Sequence, residues 1–371
     1  MFASRNFLFT KSAAGPVVVS GKLFMWGENS NGELGQGNTI NRSSPVQVGS
    51  LTDWSLLSSG YHVLCAKSNG ELWAWGNNAS GQLAQGNTTS RSSPVQIGSL
   101  TDWKNPSTNT YSSICTKTDG TLWAWGGNTF GQLGLGNTTN RSSPVQVGSL
   151  TTWNKPSVCT SSRHFLCTDN SGKLFSWGYN AKGQLGLGDT TNRSSPVQVG
   201  ALTNWATSAA GYTFSLCVKT DGTLWSWGYN SGGQLGLNDT TNRSSPVQIG
   251  SLTDWSTPRG AYAFSVCVKT DGTLWAWGRN NQGQLGLGNT TNYSSPKQVG
   301  SLTNWSIPAS GYSSVSCSKT DGTLWSWGRN TSGKLGLGDT TARSSPVQVG
   351  ALTSWVQPSG GSAFTSGAIQ T

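Results

Sequence analysis

Short apolar runs alternate with long polar stretches from about residue 20 to the C-terminus, and the same alternation returns about every 50 residues. Residues 211–260 show one full cycle. Tyr-Thr-Phe-Ser-Leu-Cys-Val at 212–218 is rich in aromatic and β-branched side chains, which suits a strand. Lys-Thr-Asp-Gly-Thr at 219–223 follows. An Asp-Gly pair between apolar runs predicts a hairpin, because glycine accepts positive φ without steric cost. Leu-Trp-Ser-Trp-Gly at 224–228 is the returning strand. A glycine-rich stretch and a polar loop then lead to Pro-Val-Gln-Ile at 246–249, a third short strand with proline at its first position, where a missing N–H is tolerated. Ser-Leu-Thr-Asp-Trp at 251–255 reads as a fourth strand that enters the next unit. No segment sustains a helical period.

The cycle is marked by Trp-Gly pairs at Trp26, Trp75, Trp125, Trp177, Trp227, Trp277 and Trp327, spaced 49, 50, 52, 50, 50 and 50 residues apart. A fixed period of this size signals units that bury their faces only against their neighbours. Four short strands per unit, seven times over, predict an all-β fold: a seven-bladed β-propeller of four-stranded blades. It forms one domain over residues 20–371, preceded by an N-terminal arm at residues 1–19. Trp225 and Trp227 share one face of their strand. The residue between the paired positions is small in six units (Ala74, Ala124, Ser176, Ser226, Ala276, Ser326), which leaves room for a neighbouring blade's ring. Met25 is the exception. After Trp355 the tail aligns with the strand that precedes each Asp-Gly turn. Residues 362–370 are expected to pair with the strand at 22–26 and close the ring, with Pro-Val-Val-Val at 16–19 as the competitor for that slot.

The repeated phrase resembles a known family. Asp-Gly-x-Leu-Trp-x-Trp-Gly-x-Asn-x-x-Gly-Gln-Leu-Gly-x-Gly, followed by a Pro-Val pair, is similar to the repeat of the regulator of chromosome condensation family. Residues 321–338 show it with Lys334 in place of glutamine. The resemblance covers about residues 20–371 and implies a seven-bladed propeller. The family's usual histidine before the Asp-Gly hairpin stands here only as His62 and His164. Ser112, Phe214, Phe264 and Ser314 occupy the slot elsewhere. The Gly-Trp-Arg-His-Thr phrase of the family's plant ultraviolet photoreceptor is absent, so that activity is not carried over.

Composition narrows the chemistry. The chain has 50 glycines and 19 tryptophans, with 10% charged residues against roughly 25% in an average soluble domain. So many aromatics exclude a disordered chain. Net charge is +10, with no basic run to mark a nucleic-acid patch. Protein partners or an assembly are expected, and an anionic surface or glycan is compatible with the charge. No apolar stretch reaches the roughly 18 residues of a membrane span. Arg5 and Lys11 interrupt the N-terminal apolar pieces, so no signal peptide is read there, and a virion or the cytoplasm fits. Cys65, Cys115, Cys167, Cys217, Cys267 and Cys317 each precede a Trp-Gly tryptophan by ten residues and read as buried free thiols, with Cys159 in a loop. Two histidines and no Cys-x-x-Cys leave no metal site, and no cofactor is expected.

Every tryptophan has a repeat address, so core packing is the expected role. Arg42, Arg91, Arg141, Arg193, Arg243 and Arg343 recur at one loop position, with Tyr293 in the remaining slot. They either bind their own blades' carbonyls or form an anion-binding ring. No nucleophile and base converge in a recognisable phrase, so catalysis is not expected. The units differ in two places. One is the segment after the terminal tryptophan, such as 55–60 and 206–210, read as a loop. The other is the residue after Trp-Gly, which makes Glu28, Asn77, Tyr179, Tyr229, Arg279 and Arg329 the candidate binding surface. The residues favour a non-catalytic binding scaffold, a structural or surface-facing part of a larger assembly such as a virion or adhesive appendage. The resemblance adds two alternatives: an intracellular regulator of a small GTPase or chromatin, and an enzyme-inhibitor propeller.

Overall fold

Each Asp-Gly turn folds two apolar strands onto one another. Phe214–Lys219 pairs antiparallel with Leu224–Gly228, from Phe214 opposite Gly228 to Val218 opposite Leu224. The Asp221 carboxylate accepts the Thr223 N–H (2.9 Å) and hydroxyl (2.6 Å), and that hydroxyl accepts the Trp225 indole N–H (2.9 Å). Trp205–Ala210 adds on the inner side and Arg243–Gln248 on the outer. The outer strand thus begins three residues before the proline from which it was expected to start.

The computed structural model describes residues 19–159, 161–360 and 365–371. The N-terminal arm of residues 1–19 therefore lies, but for Val19, outside the described residues. Seven sheets stand around an axis, six of them four-stranded. Their innermost strands, including Trp54–Ser59, Trp205–Ala210, Trp255–Gly260 and Trp305–Ser310, meet around a central channel. This corrects the sequence reading. In all blades but one, the variable segment after the terminal tryptophan is not a loop but the strand that lines the channel. Residues 251–254 are instead the connection into it.

One blade departs from the rule. His164–Thr168, Leu174–Gly178 and Arg193–Gln198 form a three-stranded sheet. Its inner segment makes only isolated bridges, Trp153 to Asp169 and Ser157 to Leu166. Trp153 to His164 spans eleven positions where Trp205 to Phe214 spans nine, and Pro156 cannot donate to a ladder. Cys159, expected in a loop, is 4% exposed, and all seven cysteines are buried.

The ring closes as expected. Thr365–Gln370 pairs with Lys22–Gly27 along its whole length, from Lys22 opposite Gln370 to Gly27 opposite Thr365. The slot that residues 16–19 could have taken is therefore filled by the C-terminal strand.

The seams between blades repeat one contact. Each Trp-Gly tryptophan is fully buried and donates its indole N–H to a backbone carbonyl of the blade before it. Trp227 donates to Gln184 (2.9 Å), Trp327 to Gln284 (3.0 Å), and Trp26 to Lys334 (3.0 Å) across the closure. Around each ring pack the neighbour's leucines: Trp277 lies among Leu216, Leu224 and Leu235. Ala74 shares a cluster with Trp125 of the next blade, as the small-residue pattern requires. A buried asparagine then fixes the long loop. Asn230 accepts the Leu235 N–H (2.9 Å) and donates to the Asp239 carbonyl (3.0 Å).

One glycine of the repeat is favoured for two reasons. A Cβ on Gly186 would stand 2.7 Å from the Trp227 indole nitrogen, and its φ is +73°. Ala84 occupies the equivalent position with φ 58°. A left-handed alanine costs roughly 1–2 kcal/mol. Ala84→Gly should therefore raise stability by about 1 kcal/mol, read as a higher urea midpoint. A lower midpoint would contradict the strain.

His62 and His164 sit in seams as well. His62 Nε2 lies 2.7 Å from the Ser113 hydroxyl, which donates to the Gln82 carbonyl (2.9 Å). The imidazole must therefore be the donor, neutral with its proton on Nε2. Burial holds both histidines near pKa 3, against an ordinary 6.5. Below about pH 6.5 the unfolded chain binds these protons and the native chain does not. Stability attributable to the pair is thus complete above 6.5 and falls as pH drops toward 3. Unfolding titrations of the wild type and of His62→Gln/His164→Gln should differ in slope across that window, the variant's being shallower. Equal slopes would show that the histidines do not carry the effect.

Candidate binding face

Strand register sends two sets of loops to the same end of every blade. Ala210, Phe214, Gly228 and Arg243 lie together at that end. The loops leaving it, 211–213 and 229–242, therefore share one face with their counterparts in the other units. The six residues singled out after Trp-Gly all lie here. Five of them donate their backbone N–H to the inner loop, as Asn77 does to Tyr61 C=O and Tyr229 to Thr213 C=O (both 2.9 Å).

The structure adds a second, inner set around the channel mouth that sequence reading passed over. Tyr61 and Tyr111 directly precede their strands, as Arg163 does in the irregular blade, and Tyr212, Tyr262 and Tyr312 stand one residue earlier in the same inner loops. Tyr262 stacks on Tyr212 (centroids 4.7 Å apart) and on Tyr312 (4.0 Å), so three blades share one aromatic row. Burial and a hydrogen bond with Tyr262 push the Tyr312 phenol up to about 12. Tyr312 therefore stays neutral at physiological pH. A signal was legible: a tyrosine recurs seven or eight residues after the terminal tryptophan in five units. It was absorbed into the predicted strand.

On the other side of the mouth, Arg163 lies over Phe130 (5.0 Å) and Tyr111 (5.7 Å), and Phe130 meets Tyr179 edge to face (4.8 Å). Ser80, Gln132 and Asn140 complete a small pocket of about 270 Å³ around this arginine. Lys182 stands over Tyr229 (5.4 Å), and Arg279 is exposed with its charge reaching Tyr312. Of the remaining candidates, Asn77 donates to Asn31 (3.2 Å), Arg329 to Thr331 (2.7 Å), and Glu28 accepts from Ser30 (3.1 Å). Lys334 is buried beside them and held near pKa 7 by burial first, then by the Arg329 charge.

The recurrent arginines rim the same face, and their surroundings are unequal. Arg193, Arg243 and Arg343 each form a 2.6 Å ion pair with the aspartate four residues earlier and donate to a threonine carbonyl of their own loop. Arg42, Arg91 and Arg141, in three consecutive blades, have asparagine at that position and form no ion pair among the described residues. The carboxylates on this face are Glu28, the buried Glu33 and the three arginine-paired aspartates. The acids of the Asp-Gly turns and those preceding the terminal tryptophans lie at the opposite end, where Lys67, Lys117 and Lys269 pair with them. The loop face is thus aromatic and cationic. Among the described residues no cluster of His, Cys, Asp or Glu could hold a metal ion.

The profile of the Regulator of chromosome condensation (RCC1) repeat matches residues 20–66, 69–106, 119–167, 171–218, 221–268, 271–318 and 321–367. The chain belongs to this family. Among solved structures, human WBSCR16 superimposes with a TM-score of 0.83 at 21% identity, over 94% of this chain and 100% of that one. Prp20p from Saccharomyces cerevisiae, described with its binding to Gsp1p and histones, gives 0.83 at 20% identity over 95% and 92% of the two chains. Yeast RCC1 (Prp20) bound to Kap60 gives 0.83 at 20% over 100% and 96%. At such identities the likeness concerns the fold. No curated protein matches the chain at a significant level. The family histidine discussed above is a seam residue in this member, which accounts for its replacement by phenylalanine at Phe214 and Phe264, both fully buried.

Proposed function

We propose that this chain is a non-catalytic protein-binding propeller that receives an acidic partner on its loop face. The observation that carries the reading is segregation: a tyrosine row and unpaired arginines on one face, with most carboxylates on the other. Aromatic side chains and arginine supply contact area and charge at interfaces, and a one-signed patch steers an oppositely charged partner. Tyr179, Tyr229, Arg279, Arg329, Asn77 and Glu28 make up the outer part of this surface. The tyrosine row with Arg163 forms the inner part, and Arg42, Arg91 and Arg141 form its margin. The proteins that Prp20p binds favour a regulator of a small GTPase as the finer reading. Nothing beyond the polar exterior supports a place in a virion or appendage.

Binding of fluorescent poly-L-glutamate, followed by anisotropy, tests the face. The variant Arg163→Glu/Arg279→Glu/Arg329→Glu should weaken binding at least about tenfold, because each reversal replaces attraction by repulsion. Lys104→Glu/Lys173→Glu on the opposite face should leave it unchanged. Equal losses from both faces, or no binding by the wild type, would overturn the proposal. Nucleotide release from small GTPases then decides the finer reading, which acceleration supports and an unchanged rate rejects.

A further inference from the structure

The channel holds a site that the loop face does not explain. It opens into a cavity of about 410 Å³ walled by the innermost segments of the blades. Its lining is made of hydroxyl, amide, small and apolar side chains, with two exceptions. Among the described residues, Lys155 and Arg259 are the charged residues of that wall, and no carboxylate joins them. From these facts we infer that the channel binds a small oxyanion of the phosphate class between Lys155 and Arg259.

The two cations arrive by different routes. Arg259 belongs to the regular innermost strand Trp255–Gly260, at a position where the neighbouring blades carry Ala209 and Ala309. It donates once to the Pro258 carbonyl (2.9 Å), leaving most of its N–H fork toward the lumen. Lys155 comes from the irregular blade, in the segment lengthened by two residues and stripped of its ladder. It makes no hydrogen bond or ion pair among the described residues. Its side chain is exposed to the lumen. Partial desolvation by the surrounding channel wall, and then the charge on Arg259, lowers its pKa to about 8. Burial lowers that of Arg259 too.

Two like charges facing one lumen, without a counter-charge among the described residues, repel each other. A bound dianion offsets that repulsion, which a single chloride does less completely. Thr207, Ser208 and Thr257 line the same cavity, and their hydroxyls make no hydrogen bond among the described residues. They can donate to the oxygens that the cations leave uncovered. The cavity exceeds what a bare phosphate fills, so a phosphomonoester with a small organic group fits the same position.

Calorimetry and thermal melting of the full chain test this, with sodium phosphate and glycerol phosphate as probes and sodium chloride at matched ionic strength as control. Phosphate should raise the melting temperature where chloride does not. Lys155→Gln and Arg259→Gln should each weaken binding at least about tenfold, and without anion should melt no lower than the wild type because the repulsion is gone. Tighter binding of glycerol phosphate assigns the site to esters, and equal or weaker binding assigns it to free phosphate. Arg163→Glu/Arg279→Glu/Arg329→Glu should bind phosphate normally, so failure of the loop-face proposal leaves this result readable. The inference is overturned if the wild type shows no phosphate-specific shift, or if Lys155→Gln binds as the wild type does.

Discussion

Every seam of this ring depends on an indole N–H reaching back to a carbonyl of the preceding blade. The bond positions the tryptophan, and the tryptophan in turn dictates what surrounds it. Its ring needs a glycine beneath it, as Gly186 under Trp227 shows, and a small residue opposite, as Ala74 shows for Trp125. It needs leucines around it, and a buried asparagine to hold the loop that presents the carbonyl. The repeated phrase of the sequence is therefore one interlocking contact written seven times. Because Trp26 donates to Lys334 across more than three hundred residues, the last contact is also the one that makes the set a ring.

That contact explains why the fold could be read from the chain and the site could not. Trp-Gly spacing, the Asp-Gly hairpins and the residue between the paired tryptophans all answer to packing that is the same in each blade. The C-terminal strand was legible for the same reason, since its alignment fixed its slot. The loop face answers to no repeated demand. Tyr61, Tyr111, Tyr212, Tyr262 and Tyr312 recur, but their apolar rings looked like the beginning of a strand. The segments after the terminal tryptophans looked like loops because they vary. They line a channel, where the seam packing that repeats in each blade does not set their side chains. The split of the rim arginines follows from asparagine against aspartate four residues earlier, a pattern visible in the chain whose meaning needed the 2.6 Å geometry of Arg243 and Asp239.

Asymmetry on a symmetric scaffold is where function can reside. The regular blades hold their strands so firmly that departures stand out: a lengthened inner segment in one blade, an alanine in a left-handed position at Ala84, a lysine at Lys334 where other units have glutamine or glutamate. Lys334 keeps its backbone role toward Trp26 while changing the charge beside Arg329 and Glu28. Scaffold and surface are separable in this way because the seam bond to residue 334 is made by its carbonyl, leaving the side chain open to change.

The direct test of the account compares the closure seam with an internal one. Trp26→Phe and Trp327→Phe each remove an indole donor from a buried carbonyl, Lys334 or Gln284. If the seven seams act as one ring, urea unfolding of both variants should remain a single transition, destabilised by similar amounts of about 1–3 kcal/mol. A closure variant that loses nothing, or that melts in a separate early step while Trp327→Phe does not, would contradict it.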